Sequence, residues 1–409
     1  MRDIHDRGVI IVGGGIAGIS VARALRANGW DGRVRIISGE ELPCYDRPPL
    51  SKEFLTGGDG RDVTDLLADE GQGLENVELL GERLATDLDT EARRLRLDDG
   101  TTVAYDQLVL ATGSAVRTLE LGDDPAAVHY LRTREDATRL RAALRSASDV
   151  IVVGAGFIGL EVAASARSLG ADVRVLEAAP APLTRVIGTD NGSAVVDLHT
   201  RRGVELQFGA VVAGLTRVGQ RYELTYRQGE EFSTADADVV VVGVGAVPSV
   251  DWLDGAGLEV DDGIVCDAGG RTSAHGVFAV GDAARWRNEL TGAHGRVEQW
   301  QSAREQGAIV GANVAHALGA QSAVPQTWCS VPYFWSDQYE HKIQFCGSPG
   351  SVWHSRETKR GWVSVAGSAS DGRLSGVLAI DSPAVVAKGR RHVAAGMDFT
   401  AAVDWVEAL

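Results

Sequence analysis

The sequence predicts an α/β fold: two doubly wound, Rossmann-like units followed by a smaller α+β domain. Two observations predict the pair of units. A continuous apolar run, a glycine-rich turn and a helix-period segment follow one another at 9–28 and again at 150–169. Each set leads into a further apolar run, at 34–37 and at 173–176. The third observation is a change after residue 326, where five of the nine tryptophans fall among alternating strand patterns.

Val9-Ile10-Ile11-Val12 shows no polar alternation, as a strand covered on both faces requires. Gly13, Gly15 and Gly18 then occupy the G-x-G-x-x-G positions, with Ala17 just before the last glycine. Ile19 to Asn28 has helical spacing with Gly29 as its stop, and Val34-Arg35-Ile36-Ile37 is the next strand. In such a unit the free N–H groups and dipole of the helix start hold a pyrophosphate. The glycines let phosphates approach where a Cβ would collide. An acid gripping the adenosine ribose would fall near Gly39, where the chain reads Ser38-Gly39-Glu40-Glu41. Either Glu40 supplies that carboxylate or backbone atoms take its place.

The second unit repeats the order. Val150-Ile151-Val152-Val153 is the strand; Gly154, Gly156, Ile158 and Gly159 lie in the turn; Leu160 to Leu169 is the helix, stopped by Gly170. Val173-Arg174-Val175-Leu176 ends at Glu177, 23 residues after Gly154 and close to the offset of about 20 expected for a ribose-binding carboxylate. A 2′-phosphate would be repelled there, and no arginine follows within four residues. The nucleotide expected is NAD rather than NADP. Two complete units in one chain point to a flavin plus a nicotinamide, with hydride passing between them.

Composition narrows the setting. The 409 residues carry a net charge of −16, which disfavours nucleic acid and anionic membrane surfaces as partners. Fifty glycines, above the usual share of roughly 7%, show no Gly-X-Y period and suggest many tight turns. No stretch approaches the ~20 apolar residues of a spanning helix, and the opening residues lack a signal-peptide pattern, so a cytoplasmic location is expected. Cys44, Cys266, Cys329 and Cys346 are far apart without a C-x-x-C, which fits buried single thiols. No metal site is expected: His199, His316 and His341 lack ligand spacing and read as solvated or core histidines.

The domain boundaries follow from the motifs. Residues 1–113 and 246–325 form a discontinuous first dinucleotide-binding domain, whose first part closes on the strand Leu108-Val109-Leu110 and the turn Ala111-Thr112-Gly113. Residues 114–245 form the inserted second domain, ending at the strand 238–242 and at Gly243-Val244-Gly245. The run 276–282 returns to complete the first domain, and 326–409 is the C-terminal domain. This last segment holds eight basic and eight acidic side chains, so the negative excess lies wholly before it.

Over nearly its whole length the chain resembles the NADH-dependent ferredoxin reductases of bacterial oxygenase systems, the putidaredoxin and rhodocoxin reductase type. The likeness rests on an ordered set of motifs: GGGIAG (13–18), RPPLSK (47–52), ATGSAVR (111–117), LRTREDA (131–137), GAGFIGLEVA (154–163), VFAVGDAA (277–284) and FWSDQY (334–339). The resemblance implies a glutathione-reductase-like fold, FAD in the first domain and NADH as electron donor in the second. It implies a 2Fe-2S ferredoxin as partner and, through it, a mono- or dioxygenase, with the reductase a monomer or homodimer.

Residue by residue, the resemblance places Lys52 beside the flavin and pairs it with Glu161, where a lysine alone would read as solvated. It puts Asp282 on the ribityl chain, although an aspartate there could also cap a helix beginning at Ala283-Ala284. Arg132 contacts FAD; Arg47 does so or lies on the surface. Trp300 and Trp335 line the isoalloxazine rather than serve only as core. Gly13, Gly15, Ala17, Gly18, Glu40, Leu84, Ala111, Thr112 and Gly113 complete the FAD set, while Gly154, Gly156, Ile158, Gly159, Glu177 and Gly245 form the nicotinamide-nucleotide set. Rival readings are a rubredoxin reductase, an NADH oxidase using Cys44 as a redox thiol, and a redox-sensing signalling flavoprotein. For an acidic ferredoxin the available cations of the C-terminal segment are Lys342, Arg356, Lys359, Arg360, Arg390 and Arg391.

Overall fold

A computed structural model describes residues 3–4, 8–41, 44–57, 65–66, 74, 76–122, 124, 127–359 and 361–409. The chain divides into two compact units. One comprises 1–46, 64–115 and 247–332; the other comprises 47–63, 116–246 and 333–409. The segment 47–63, which motif order assigns to the first dinucleotide-binding domain, thus clusters with the second unit.

The first unit is built on a five-stranded parallel sheet in the order Val277–Ala279, Gln107–Leu110, Val9–Val12, Val34–Ile37, Val77–Leu80. All four residues of Val9–Val12 are buried, as the unbroken apolar run requires. The helix Ile16–Ala27 buries Ile19, Val21, Ala22 and Leu25. Its neighbour, the helix Trp300–Ala317, approaches so closely that a Cβ on Gly307 would lie 2.5 Å from Ala17 O, and one on Gly311 2.4 Å from Ala24 Cβ. Smaller sheets flank this core. One joins Ile264–Cys266, Ala284–Arg287 and His294–Arg296. Ala284 therefore begins a strand: Gly281–Ala283 is only a 3-10 turn, and no helix starts there for Asp282 to cap.

The second unit repeats the parallel sheet in the order Val128–His129, Val239–Val242, Asp149–Val153, Asp172–Glu177, Glu205–Phe208. An antiparallel meander follows, Ala210–Val218, Arg221–Gln228 and Glu231–Ala237. The C-terminal residues form a five-stranded antiparallel sheet in the order Tyr333–Gln338, His341–Gly347, Leu374–Ile380, Gly361–Gly367, Val352–Thr358, with helices Pro383–Ala394 and Phe399–Glu407. The α+β character expected after residue 326 is what this sheet and its two helices show.

Cys44, Cys266 and Cys346 are buried, but Cys329 is exposed, so the expectation of burial holds for three thiols and not the fourth. Among the described residues no helix is long and apolar enough to cross a membrane, and no group of three potential metal ligands occurs.

The glycine contacts between the two helices of the first unit are directly testable. Gly311→Leu drives a side chain into Ala24 and the Val21 carbonyl, 2.7 Å from the added Cβ. It should destabilise the protein by about 2 kcal/mol or more even after the helix-propensity gain over glycine. Gly295→Ala, where a Cβ meets nothing within 4 Å, should change stability by less than about 0.5 kcal/mol. Thermal unfolding of both variants checks the difference.

Candidate functional site

The two glycine turns share one geometry. Gly13 has φ +121° and Gly154 φ +103°, a region costly for any residue with a Cβ. Added Cβ atoms would sit 2.0 Å from Ala111 O and 2.4 Å from Gly243 O. At Gly18 and Gly159 a Cβ would lie 2.1 Å from the carbonyl oxygens of Gly13 and Gly154. Each helix starts after an extended glycine, Gly15 (φ −77°, ψ −178°) or Gly156 (φ −77°, ψ 179°), and neither has a side-chain cap. The orphan N–H groups of both helix starts are therefore open to an anion, and the residues fit a pyrophosphate at each turn.

In the second unit the Glu177 carboxylate is fastened beside its turn. One oxygen accepts the Ala155 N–H at 2.6 Å and the other the Ala179 N–H at 2.8 Å. Ile158, in the first helical turn, is 42% exposed, and Gly245 adopts φ +114°.

Of the expected FAD set, the first unit also holds Glu40, Leu84, Ala111, Thr112, Gly113, Asp282 and Trp300, whereas Arg47, Lys52, Arg132 and Trp335 belong to the second. Glu40 accepts a hydrogen bond from the Tyr45 phenol, so its carboxylate is already engaged from one side. Leu84 is 58% exposed and reaches over Gly39. Ala111 N donates to Val12 O at 2.8 Å, Thr112 Oγ1 donates to Ser249 O at 2.9 Å, and Gly113 turns at φ +69°. Asp282 accepts from Ser114 Oγ at 3.0 Å, and Trp300 donates its indole N–H to Asp46 at 2.6 Å. Cys44 is 5% exposed, with its sulfur against Gly14.

Lys52 and Glu161 meet within the second unit. Pro48 starts a 3-10 turn through Ser51, and Lys52 follows as the residue before the helix Glu53–Thr56. Lys52 Nζ lies 3.0 Å from Glu161 Oε1 and donates to Pro48 O at 3.1 Å. Ser51 Oγ donates to Glu161 Oε2 at 2.5 Å, and Ser336 Oγ to Oε1 at 2.6 Å. Burial pushes the Glu161 carboxyl above its usual range, while the Lys52 ammonium and the two hydroxyls pull against that push. Sequence motifs located the pair but not the serines. Ser336 had a signal: in Tyr333–Gln338 it falls by period two on the buried face of Phe334.

Arg47, Arg132 and Trp335 also lie in this unit. Arg47 is half-buried at the start of the 3-10 turn. Arg132 precedes a capping box made by Thr133 and Asp136, and its backbone N–H donates to Asp136 at 3.2 Å. Trp335 is half-buried on the strand face opposite Ser336, stacked on Tyr333 with centroids 6.2 Å apart. Of the C-terminal cations, Lys342 pairs with Asp337 at 3.2 Å and Arg356 with Glu407 at 3.5 Å; Arg360 lies outside the described residues.

Comparison with known proteins gives consistent matches. Residues 7–307 match the family model described as pyridine nucleotide-disulphide oxidoreductase, and 333–405 match the one described as Reductase C-terminal. The anthranilate 1,2-dioxygenase system ferredoxin–NAD(+) reductase component of Burkholderia cepacia is 40% identical over 394 residues, 95% of this chain and 94% of that protein. Among solved structures, the ferredoxin reductase for the CYP199A2 system from Rhodopseudomonas palustris superposes with a TM-score of 0.87 at 32% identity, covering 96% of this chain and 95% of its own. The covalent putidaredoxin reductase–putidaredoxin complex gives 0.87 at 30% identity, covering 96% and 94%.

The buried pair sets a pH-dependent stability. In Lys52→Met the Glu161 carboxyl loses its cation, and its pKa rises further above the unfolded value of about 4.3. A folded pKa raised above the unfolded one stabilises fully below about 4.3, and that stability is lost as pH rises through the folded value. The variant should therefore fall short of the parent by about 3–5 kcal/mol at pH 8 and by less at pH 5. Adding Glu161→Gln should recover most of the loss. Denaturant unfolding at the two pH values measures it.

Proposed function

The chain belongs to the pyridine nucleotide-disulphide oxidoreductase family, and from that membership we propose that it is an FAD-dependent reductase passing electrons from NADH to a 2Fe-2S ferredoxin that supplies an oxygenase. The observation that carries the reading is the duplicated glycine turn, one in each unit, in a chain 40% identical to a ferredoxin–NAD(+) reductase component. Bound FAD supplies the exchange between a hydride pair and single electrons, so that one NADH reduces two ferredoxins and releases one proton.

Gly13, Gly15, Ala17 and Gly18 would hold the FAD pyrophosphate by backbone N–H groups, with Ala111, Thr112, Gly113 and Asp282 completing the FAD set. Gly154, Gly156, Ile158, Gly159 and Gly245 receive NADH. Each Glu177 oxygen accepts one backbone N–H and keeps a second lone pair for a ribose hydroxyl. Lys52 would supply a positive charge to a bound flavin, and Glu161 holds that lysine in position. Neither donates nor removes a proton in the hydride step, so their contribution is electrostatic. Trp300 and Trp335 are the indoles that would shield a bound flavin from water. Burial of Cys44 against Gly14 supports this reading over a thiol-based NADH oxidase. With NADH as donor and no C-x-x-C in the sequence, we place the enzyme in the reducing cytoplasm.

The test is nucleotide choice and acceptor choice in the FAD-loaded enzyme. Losing a carboxylate–hydroxyl contact costs about 1.5–3 kcal/mol, so kcat/KM with NADH should exceed that with NADPH by at least about tenfold. Glu177→Ala should erase most of that difference. Equal efficiencies in the parent would remove the assignment of Glu177, and faster reduction of rubredoxin than of any 2Fe-2S ferredoxin would replace the proposed acceptor.

A further inference from the structure

Behind Glu161 the second unit contains polar side chains that the hydride reaction does not call for. Ser336, Gln338 and His199 are all fully buried. Ser336 and Gln338 share the inward face of Tyr333–Gln338 with Phe334, where apolar side chains would be the default. His199 comes from the helix Gly192–Thr200. The links are continuous: Tyr339 Oη to His199 Nδ1 at 3.2 Å, His199 Nε2 to Gln338 Oε1 at 2.8 Å, Gln338 Nε2 to Ser336 Oγ at 3.1 Å, and Ser336 Oγ to Glu161 Oε1 at 2.6 Å.

We infer that Tyr339, His199, Gln338 and Ser336 form one directional hydrogen-bond chain that positions the Glu161 carboxylate in its ionised form, with His199 held as the neutral Nε2–H tautomer. This rests on the proposed role of the Lys52–Glu161 pair.

With Glu161 ionised beside the Lys52 ammonium at 3.0 Å, the direction follows from valence. An ionised carboxylate only accepts, so the Ser336 hydroxyl donates to it and must accept from the Gln338 amide NH2. The amide oxygen then faces His199 and takes its Nε2–H, which leaves Nδ1 to accept the Tyr339 phenol. Every donor points toward Glu161, so each bond polarises the next. The amide cannot pass a proton on, so the four residues are positioning residues and not a proton path.

Surrounding charges agree with this assignment. Burial keeps the His199 pKa below its usual range, and burial raises that of Tyr339 to about 12 against the pull of Arg202 and Arg167, so the phenol remains a donor. Arg202 lies 4.7 Å over the Tyr339 ring and pairs with Glu340, which also neighbours His341. Tyr339 itself has φ +57°, uncommon for a bulky residue, in the two-residue turn before His341. That strained conformation aims the phenol at His199.

The test begins on the unmodified FAD-loaded protein. Nitrogen-15 NMR of His199 should show the Nε2–H tautomer with no titration between pH 5.5 and 8; an Nδ1–H tautomer, or a midpoint near 6.5, overturns the inference. Gln338→Leu breaks two links and should move the pH midpoint of flavin reduction by NADH upward by about half to one unit. An unmoved midpoint also overturns it. Should that variant not fold, Tyr339→Phe removes only the outermost donor and should shift the His199 Nδ1 resonance; an unshifted resonance overturns the chain. Glu161→Gln separates the two claims. Unchanged flavin reduction there removes the role of the pair, while the His199 tautomer in the unmodified protein still decides the chain.

Discussion

A strand can hand its chain to a helix and leave the first N–H groups of that helix open only by turning through a backbone conformation that side chains resist. Gly13 and Gly154 make that turn at φ +121° and +103°. The consequence spreads into the sheet. Because a Cβ would lie 2.0 Å from Ala111 O or 2.4 Å from Gly243 O, the returning strand in each unit presses its carbonyl end against the turn. Both sheets accordingly put the glycine-turn strand between the next strand in sequence and the returning one. The uncapped helix starts are a product of the same constraint, since Gly15 and Gly156 offer no oxygen to satisfy them.

Electrostatics then distinguishes the two units. A chain of net charge −16 keeps one lysine and one glutamate together out of water. A buried pair of that kind adds little stability over an apolar pair of similar volume, because desolvation offsets the attraction. What it gives is position. Glu161 takes donors from the adjacent Ser51 and Lys52 and from the strand Tyr333–Gln338, so two separate stretches of sequence must be in register around one carboxylate.

Much of this was readable in the sequence. The glycine turns announce themselves because backbone geometry admits so few residue types, and unbroken apolar runs mark strands covered on both faces. Lys52 and Glu161 were found through motifs. The partners of Ser51, Ser336 and His199 carry no such mark, because Ser51 lies 110 and Ser336 175 residues from Glu161 and His199 139 from Gln338, and neither period nor spacing records such a distance. Asp282 misled for a local reason: glycine, aspartate and alanines look like a helix start, but Ala284–Arg287 pairs with Ile264–Cys266 and is drawn into a sheet instead. The placement of 47–63 was also hidden, since a segment between two strands of one sheet is naturally assigned to that sheet's unit.

The strand Tyr333–Gln338 joins these threads. Its alternation sends Phe334, Ser336 and Gln338 inward and Tyr333, Trp335 and Asp337 to the half-exposed face. One element therefore supports the Glu161 carboxylate from one side and offers an indole on the other. A slip of one residue would exchange the two faces, bringing Trp335 against the carboxylate and Ser336 outward. Register is held at the hairpin end, where Gln338 pairs with His341 across a turn of two residues, and along the strand by Phe334 opposite Phe345. Phe157, at the start of the glycine-turn helix, packs on Phe334 with ring centroids 4.5 Å apart. The helix that carries Glu161 and the strand that supports it are thus aligned by apolar contact as well as by polar bonds. The short hydroxyl–carboxylate contacts can then be satisfied at one register only, which is how an apolar core comes to specify the position of a charge.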